Sequence, residues 1–548
     1  MHMEEAIVRI FIDEGVSTVF GLPGFQLLKL YDVMRAESSL RHVLCKHEQG
    51  VGFAGFGYSL TKNAPAVCLV MPGPGLTNIL SAVGESFYQS VPLVVMTIDN
   101  PPAALGTGAF HELNSPAIFA PVVKEVLIPE TPEQILEVLR KGFSLARAGR
   151  SGPVLINLPS NLFAHDVKTI PARISPEKPR INKSDIETVA ALLSSSRSPL
   201  IWAGEGVLRA QAMNHLAELA EILDAPVMTN LSGRGAFDEK HPLSLRAPLY
   251  DLPPDIMQEA DLIMAVGIQL TSVTTRNYTL PMPANLIHID IAPEKRSGYR
   301  KRLEIRACPR DFLTALLTEL KGRGKREQRS NAILKTFENS LQEYRNYFEP
   351  IASREIPPVT PPRFFRELNN FIGHREFIYV TDSVWAPHCF QSPPISAKAA
   401  HISIGSFGCL GLALPAAIGA AIASPEKLVV GISGDGAFLF NCQELSTAAD
   451  LDLKNLLQIV LVNNGYGSLK HLQHLLHGGR SIAVDWKPVD YVKLAESMGV
   501  KGLFIREPGE IKEALDAFEK NGGPLLIAVE VENIPTMPES AYRILARS

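Results

Sequence analysis

Two nearly unbroken apolar runs, Leu428-Val429-Val430-Gly431-Ile432 and Leu457-Gln458-Ile459-Val460-Leu461-Val462, constrain the fold of this chain more than any other feature. An apolar run without polar alternation suits a parallel strand covered on both faces. Between the two, residues 444–450 have a helix-like pattern, so the stretch reads as a βαβ unit. Parallel strands put their carboxyl ends on one edge of a sheet. Gly434-Asp435-Gly436 stands just beyond the first run and Asn463-Asn464 just beyond the second, with 26 residues, 437–462, between them. Asp435 and Asn464 are therefore expected to meet at that edge. A carboxylate oxygen, an amide oxygen and a nearby backbone carbonyl are hard ligands suited to Mg²⁺. The glycines let a diphosphate approach the backbone. A Gly-Asp-Gly triplet alone is usually an ordinary turn; its distance from the asparagine pair points to a metal-bridged diphosphate.

The chain echoes itself. Gly152-Pro153-Val154-Leu155-Ile156-Asn157-Leu158 and Gly523-Pro524-Leu525-Leu526-Ile527-Ala528-Val529 each follow a helical pattern, at 133–147 and 510–520. Two similar α/β domains are the simplest explanation. Between them, Pro199 to Gly206, Asp261 to Gly267 and Leu286 to Ile291 read as strands feeding glycine turns, which supports a third parallel-sheet domain. Domains are expected near 1–165, 184–325 and 355–548, joined by linkers at 166–184 and 325–362. A chain of 548 residues needs several cores, since one core rarely exceeds roughly 300 residues.

The formal net charge of −4 gives no electrostatic reason to expect nucleic acid or an anionic membrane. Run 410–423 is interrupted by Pro415 and is shorter than the roughly 20 residues of a membrane span, so it reads as a buried helix. Six cysteines without CxxC spacing suggest neither zinc nor a disulfide framework. Reduced thiols, and an amphipathic start without a signal-peptide core, fit a cytoplasmic protein.

Gly434-Asp435-Gly436 with Asn463-Asn464 resembles the motif of the thiamine diphosphate enzymes, in the group containing acetolactate synthase, benzoylformate decarboxylase, pyruvate decarboxylase and benzaldehyde lyase. Three more segments resemble that family in order: Val19 to Gly24, which includes Pro23; Lys46-His47-Glu48-Gln49-Gly50; and Gly73-Pro74-Gly75-Leu76-Thr77-Asn78. The resemblance covers essentially the whole chain. It implies three doubly wound parallel-sheet domains, two of them binding thiamine diphosphate and flanking a central one. Asp435, the Asn464 side chain and the Tyr466 carbonyl would hold Mg²⁺, with Gly434, Gly436, Ala437 and Gly467 beside the diphosphate. Glu48 would hydrogen-bond N1′ of the aminopyrimidine and so promote loss of the C2 proton of the thiazolium. From residue type alone, Glu48 reads as a helix cap or a partner of Lys46. Gly405-Ser406-Phe407-Gly408-Cys409-Leu410-Gly411 resembles the segment whose bulky side chain, here Leu410, bends the coenzyme, while backbone groups of Gly408 and Leu410 address the pyrimidine. Glu48 and Asp435 lie in different domains, so the resemblance implies a dimer, or a tetramer of two dimers, with sites between subunits. Some relatives bind FAD in the central domain. Residues 267–276 lack the arginine- and aspartate-rich run that goes with it, and Gly204-Glu205-Gly206 reads as a tight turn, so FAD is not expected.

The substrate is less legible. Phe110-His111-Glu112 falls where acetolactate synthases carry Phe-Gln-Glu, so His111 is either a proton relay to substrate or a hydrogen-bonded loop histidine. Phe25-Gln26 lacks the histidine of benzaldehyde lyase, and Met71 replaces the catalytic histidine of benzoylformate decarboxylase. Asp382 and Trp385 are expected near the diphosphate and pocket mouth, and Ser468, Leu469, His471 and Leu472 along the pocket. His471, His474 and His477 read as a solvated helix face. The resemblance implies a 2-oxo acid decarboxylase that transfers the acyl unit to an aldehyde or ketone acceptor. A non-ligating decarboxylase, an acyloin lyase and a catalytically silent homologue are the alternatives.

Overall fold

The computed structural model describes residues 1–246, 255–292, 298–322, 330–382, 393–396 and 399–533. Strands β1 (Thr18–Gly21), β2 (Arg41–Leu44), β3 (Ala66–Leu69), β4 (Leu93–Asp99), β5 (Val126–Leu127) and β6 (Val154–Pro159) form one parallel sheet in the order β2-β1-β3-β4-β6-β5. The central sheet holds β7 (Pro199–Ala203), β8 (Val227–Thr229), β9 (Leu262–Val266), β10 (Leu286–Asp290) and β11 (Leu303–Arg306), ordered β11-β10-β9-β7-β8. The carboxyl-terminal sheet holds β12 (Phe377–Thr381), β13 (Ala399–Ser403), β14 (Leu428–Gly434), β15 (Leu456–Val462), β16 (Lys501–Ile505) and β17 (Leu525–Glu530), ordered β13-β12-β14-β15-β17-β16.

Counted from its own first strand, the third sheet has the same order as the first, 2-1-3-4-6-5. The two Gly-Pro-led runs of the sequence echo are β6 and β17, which occupy equivalent places. Both are buried along nearly their whole length, as a strand covered on both faces must be. The chain is thus three parallel-sheet α/β domains, the outer two alike.

Five helices position the site: α1 (Glu48–Lys62), α2 (Pro74–Tyr88), α3 (Ala413–Ala423), α4 (Glu444–Asp450) and α5 (Gly467–Leu476). Helix α3 is the buried helix expected in 410–423. Pro415 sits in its first turn, where a missing N–H costs no helical bond, and Ala416 N already bonds Leu412 O. Helices α1 and α3 join the first and third domains backbone to backbone. A Cβ on Gly57 would stand 2.0 Å from Ala416 O, and one on Gly419 would stand 1.9 Å from Ala54 O. A single apolar core, including Phe53, Phe56, Ile378, Leu414 and Ile418, runs through this crossing. Among the described residues no helix is long and apolar enough to cross a membrane.

In the central domain the Gly204-Glu205-Gly206 turn is tight. A Cβ on Gly204 would meet Gly267 O at 2.4 Å, and one on Gly206 would meet Gly267 Cα at 2.7 Å. A cleft of about 400 Å³ opens between this edge and the first domain, with Arg150, Glu205, Arg209 and Asp290 in its wall.

Candidate active site

At the carboxyl edge of the third sheet, β14 and β15 are in register with Gly434 opposite Leu461. That register carries Asp435 and Asn463-Asn464 off the same edge. Asp435 is almost fully buried and accepts hydrogen bonds from Gly436 N on Oδ1 (2.9 Å) and from Asn463 N (3.2 Å) and Asn464 N (2.6 Å) on Oδ2. Burial pushes its carboxyl up to about 6, although those amides pull the other way. Asn464 takes a left-handed backbone at φ 56°, and its Oδ1 is buried without a hydrogen-bond partner. Such an orphaned acceptor needs a donor or a cation.

Tyr466 N donates to Val484 O, while the Tyr466 carbonyl accepts Lys470 N (2.9 Å) at the start of α5 and keeps a second lone pair. The Tyr466 ring meets Trp486 edge-on at 5.0 Å, and a Cβ on Gly436 would strike both rings. An acidic oxygen, an unsatisfied amide oxygen and a carbonyl fit a hard divalent cation. Gly467 is crowded by Asn463 and Asn533, Gly434 caps the short turn Asp435–Phe438, and Ala437 is buried within it. Among the described residues no group of three or more His, Cys, Asp or Glu gathers as a metal site, so His471, His474 and His477 form none.

The second corner lies in the first domain. His47 caps α1, accepting Gln49 N on Nδ1 (3.1 Å), and Glu48 is the first helical residue. Glu48 Oε2 accepts Asn78 Nδ2 at 2.9 Å, and Gly75 leaves room beside Oε1, where a Cβ would stand at 3.4 Å. Lys46 turns away to Asp450 (2.6 Å), so it is not the partner of Glu48. Gly73 has φ 61° and lies against the His111 backbone, where a Cβ would be 2.8 Å from His111 O. The motifs around 48, 73, 78 and 111 therefore converge. His111 has φ 64°, stacks on Phe110 at 3.8 Å between ring centres, and its buried Nδ1 has no hydrogen-bond partner. Glu112 braces the loop by accepting Gly108 N (2.9 Å) and Ala109 N (3.0 Å). Beside them Gly24, next to the exposed Pro23, packs against the Met71 side chain, and Gln26 Oε1 is buried without a partner.

Polar contacts tie the two corners together through the third domain. Glu444 of α4 accepts Lys46 N (3.0 Å) and His47 N (3.1 Å), fixing the entry to α1. Asn441 Nδ2 donates both to Gln49 Oε1 (3.0 Å) and to Gly411 O (2.8 Å). The 405–411 loop, with Gly408 at φ 79° and Leu410 half-buried, thus lies beside the start of α1. Asp382 is fully buried; Oδ1 accepts Leu412 N (2.9 Å) and Oδ2 accepts Ser433 Oγ (2.8 Å). Its carboxyl therefore holds the base of the loop from behind, and burial raises it to about 6. Sequence reasoning missed Asn441 and Glu444, whose partners lie hundreds of residues away.

Several of the expected pocket side chains lie at the surface of the single chain. Phe25 is 84% exposed, Phe110 75% and Leu469 53%. Ser468 is also exposed and Leu472 half-buried, while Trp385 falls outside the described residues.

The chain matches three family descriptions: "Thiamine pyrophosphate enzyme, N-terminal TPP binding domain" over residues 1–118, the "central domain" over 186–316, and the "C-terminal TPP binding domain" over 383–529. It is 31% identical to the "Probable acetolactate synthase large subunit" of Methanocaldococcus jannaschii, over 98% of this chain and 93% of that protein. The chain belongs to the thiamine pyrophosphate enzyme family. It is also 28% identical to "Acetolactate synthase isozyme 1 large subunit" of Escherichia coli (96% and 93% covered). To the mitochondrial "Acetolactate synthase catalytic subunit" of Saccharomyces cerevisiae it is 29% identical (96% and 80% covered). It is a thiamine diphosphate-dependent enzyme, and its first and third domains are the coenzyme-binding ones.

Proposed function

We propose that this enzyme decarboxylates a 2-oxo acid and joins the remaining acyl unit to a second carbonyl compound, the reaction that its resemblance to the acetolactate synthases implies. The observation that carries this reading is full-length similarity to proteins so named in an archaeon, a bacterium and a yeast. When bound, thiamine diphosphate supplies the nucleophilic carbon and the electron sink for loss of CO₂.

The chain's own residues bind and orient. Asp435, Asn464 and the Tyr466 carbonyl hold Mg²⁺, a role supported by the unsatisfied Asn464 Oδ1. Gly434, Gly436, Ala437 and Gly467 lie against the diphosphate. Glu48, steadied by Asn78, exchanges a proton with N1′ of the aminopyrimidine. Gly408 and Leu410 seat that ring. His111 relays a proton at the substrate oxygen, a role supported by its unpartnered Nδ1. Two copies of the chain assemble so that Glu48 of one faces Asp435 of the other. The exposed Phe25, Phe110 and Leu469 support this, because such side chains mark surfaces that another body covers.

The purified protein, given thiamine diphosphate, Mg²⁺ and a panel of 2-oxo acids with and without aldehyde or ketone acceptors, should release CO₂ and form acyloin-type products. Aldehyde as the only product would replace ligation with simple decarboxylation. Acyloin cleavage without 2-oxo acid turnover would overturn the reading.

A further inference from the structure

Helix α2 carries one fully buried carboxyl, Glu85, in its second half. Ser81 and Tyr88 lie on its helical face at spacings of four and three, and Gly84 is the adjacent residue, itself three and four from those two. All four touch the 405–411 loop of the third domain. Glu85 Oε1 accepts Gly405 N (2.6 Å) and Gln89 Nε2 (2.8 Å), and Oε2 accepts Cys409 N (3.0 Å). Cys409 Sγ donates to Ser81 O at 3.3 Å. The Phe407 ring lies over Gly84 and stacks on Tyr88 at 5.3 Å. Gln89 extends the grip to Ser403 O (2.8 Å), at the end of β13.

Gly408 lies between the clamped amides, and Leu410 follows directly after them. We infer that Glu85 is a positioning residue for the coenzyme: by holding the Gly405 and Cys409 amides, it sets the backbone that receives the pyrimidine. This rests on the reading that 405–411 seats that ring. An apolar side chain at 85 would fill the space but leave two buried N–H groups without acceptors, so the loop would turn toward other partners. Two oxygens are needed because the donors arrive from both sides. The other end of α2 places Asn78 on Glu48, so one rigid helix braces a carboxyl meant for N1′ and a loop meant for the pyrimidine, which in the proposed assembly serve two different coenzymes.

The test uses the full-length Glu85→Gln variant, whose amide has a single acceptor oxygen and presents an NH₂ to one of the two loop amides. In the coenzyme-free protein, hydrogen exchange read by mass spectrometry should accelerate about tenfold in a peptide spanning 404–411 and stay unchanged in central-sheet strands. With saturating Mg²⁺, the Kd for thiamine diphosphate should rise about tenfold, while its dependence on Mg²⁺ concentration keeps the wild-type shape. Unchanged exchange in 404–411 overturns the clamp. Faster exchange with wild-type Kd overturns the positioning role, leaving Glu85 as interdomain adhesive. If Glu85→Gln yields no folded protein, Glu85→Asp keeps both oxygens on a shorter stem and should weaken binding about threefold; wild-type affinity in that variant overturns the proposal. Wild-type protein that takes up no coenzyme would sink the underlying reading, and the exchange comparison would still decide the clamp.

Discussion

Gly419→Ala tests whether the crossing of α1 and α3 fixes the geometry between the two coenzyme-binding domains. The new methyl carbon would sit 1.9 Å from Ala54 O and 2.8 Å from both Ala54 C and Tyr58 N. All three are backbone atoms, so no rotamer change relieves the clash. The helices must separate by more than about 1 Å, which opens the apolar seam along its length. Overpacking costs about 1–3 kcal/mol, and with backbone on both sides the upper end applies. The apparent Tm should fall by on the order of 5 °C or more, read by differential scanning fluorimetry at fixed scan rate because a chain of this size can unfold irreversibly. Gly57→Ala, with its methyl 2.0 Å from Ala416 O, should do the same. Combining the two should cost less than their sum, since one separation relieves both clashes. Gly509→Ala is the control, because nothing lies within 4 Å of its added carbon. Coenzyme affinity should drop with Tm in the seam variants, as α1 begins at Glu48 and α3 follows Leu410. Melting of Gly419→Ala within about 1 °C of wild type would refute the rigid crossing.

Glu48→Gln keeps an acceptor for Asn78 but cannot exchange a proton, so C2 proton exchange of bound coenzyme, followed by NMR, should slow about 10²- to 10⁴-fold with little loss of Tm; a normal rate removes Glu48 from its role. Asn464→Gly keeps the left-handed backbone and removes the side chain that carries the orphaned oxygen, so Mg²⁺-dependent coenzyme uptake by calorimetry should weaken about tenfold or more. Unchanged Mg²⁺ dependence would exclude that ligand. The Asp382 carboxyl, fully buried, is raised in the folded protein from 3.8 to about 6, so the native state holds a proton that the unfolded state releases. Its contribution to stability is therefore present below about pH 4 and lost as pH rises to about 6, on the order of 3 kcal/mol. The Tm of wild type relative to Asp382→Asn should decline across that window, and a flat difference would show that burial does not perturb the group.

What was legible in the sequence depended on range. Leu428–Gly434 and Leu456–Val462 could be placed because doubly buried strands have a local signature, and Asp435 meets Asn464 because their strands are neighbours in register. The 510–520 pattern is helical at Ile511–Asn521, with its first residue, Glu510, ending a short 3-10 turn at Pro508–Glu510. The repeated strand order was visible only as two Gly-Pro-led runs. Asp382, Glu444 and Glu85 were not readable as structural clamps, because the donors they bind are main-chain amides that any residue type could supply. The pocket side chains were not separable from surface ones, since Phe25 and Phe110 are largely exposed in the single chain and would be covered only in the proposed assembly.

Those buried carboxyls share a logic that ties fold to affinity. Glu444, Glu85 and Asp382 each take two backbone amides or a backbone amide and a hydroxyl, and each grips a different side of the seam: the entry to α1, the middle of the 405–411 loop, and its base. Neutral donors fix geometry without neutralising the carboxyls' charge, and burial raises both Glu444 and Asp382. Such groups are costly as fillers, but amide-specific acceptors lock backbone position as apolar side chains cannot. The groups proposed to meet the pyrimidine, Glu48 and the 408–410 backbone, hang from helix starts and a glycine-bearing loop that have no regular ladder of their own. Their placement is therefore set by these acceptors and by the Gly57–Gly419 crossing, and substitutions at the seam should alter coenzyme affinity without touching the coenzyme.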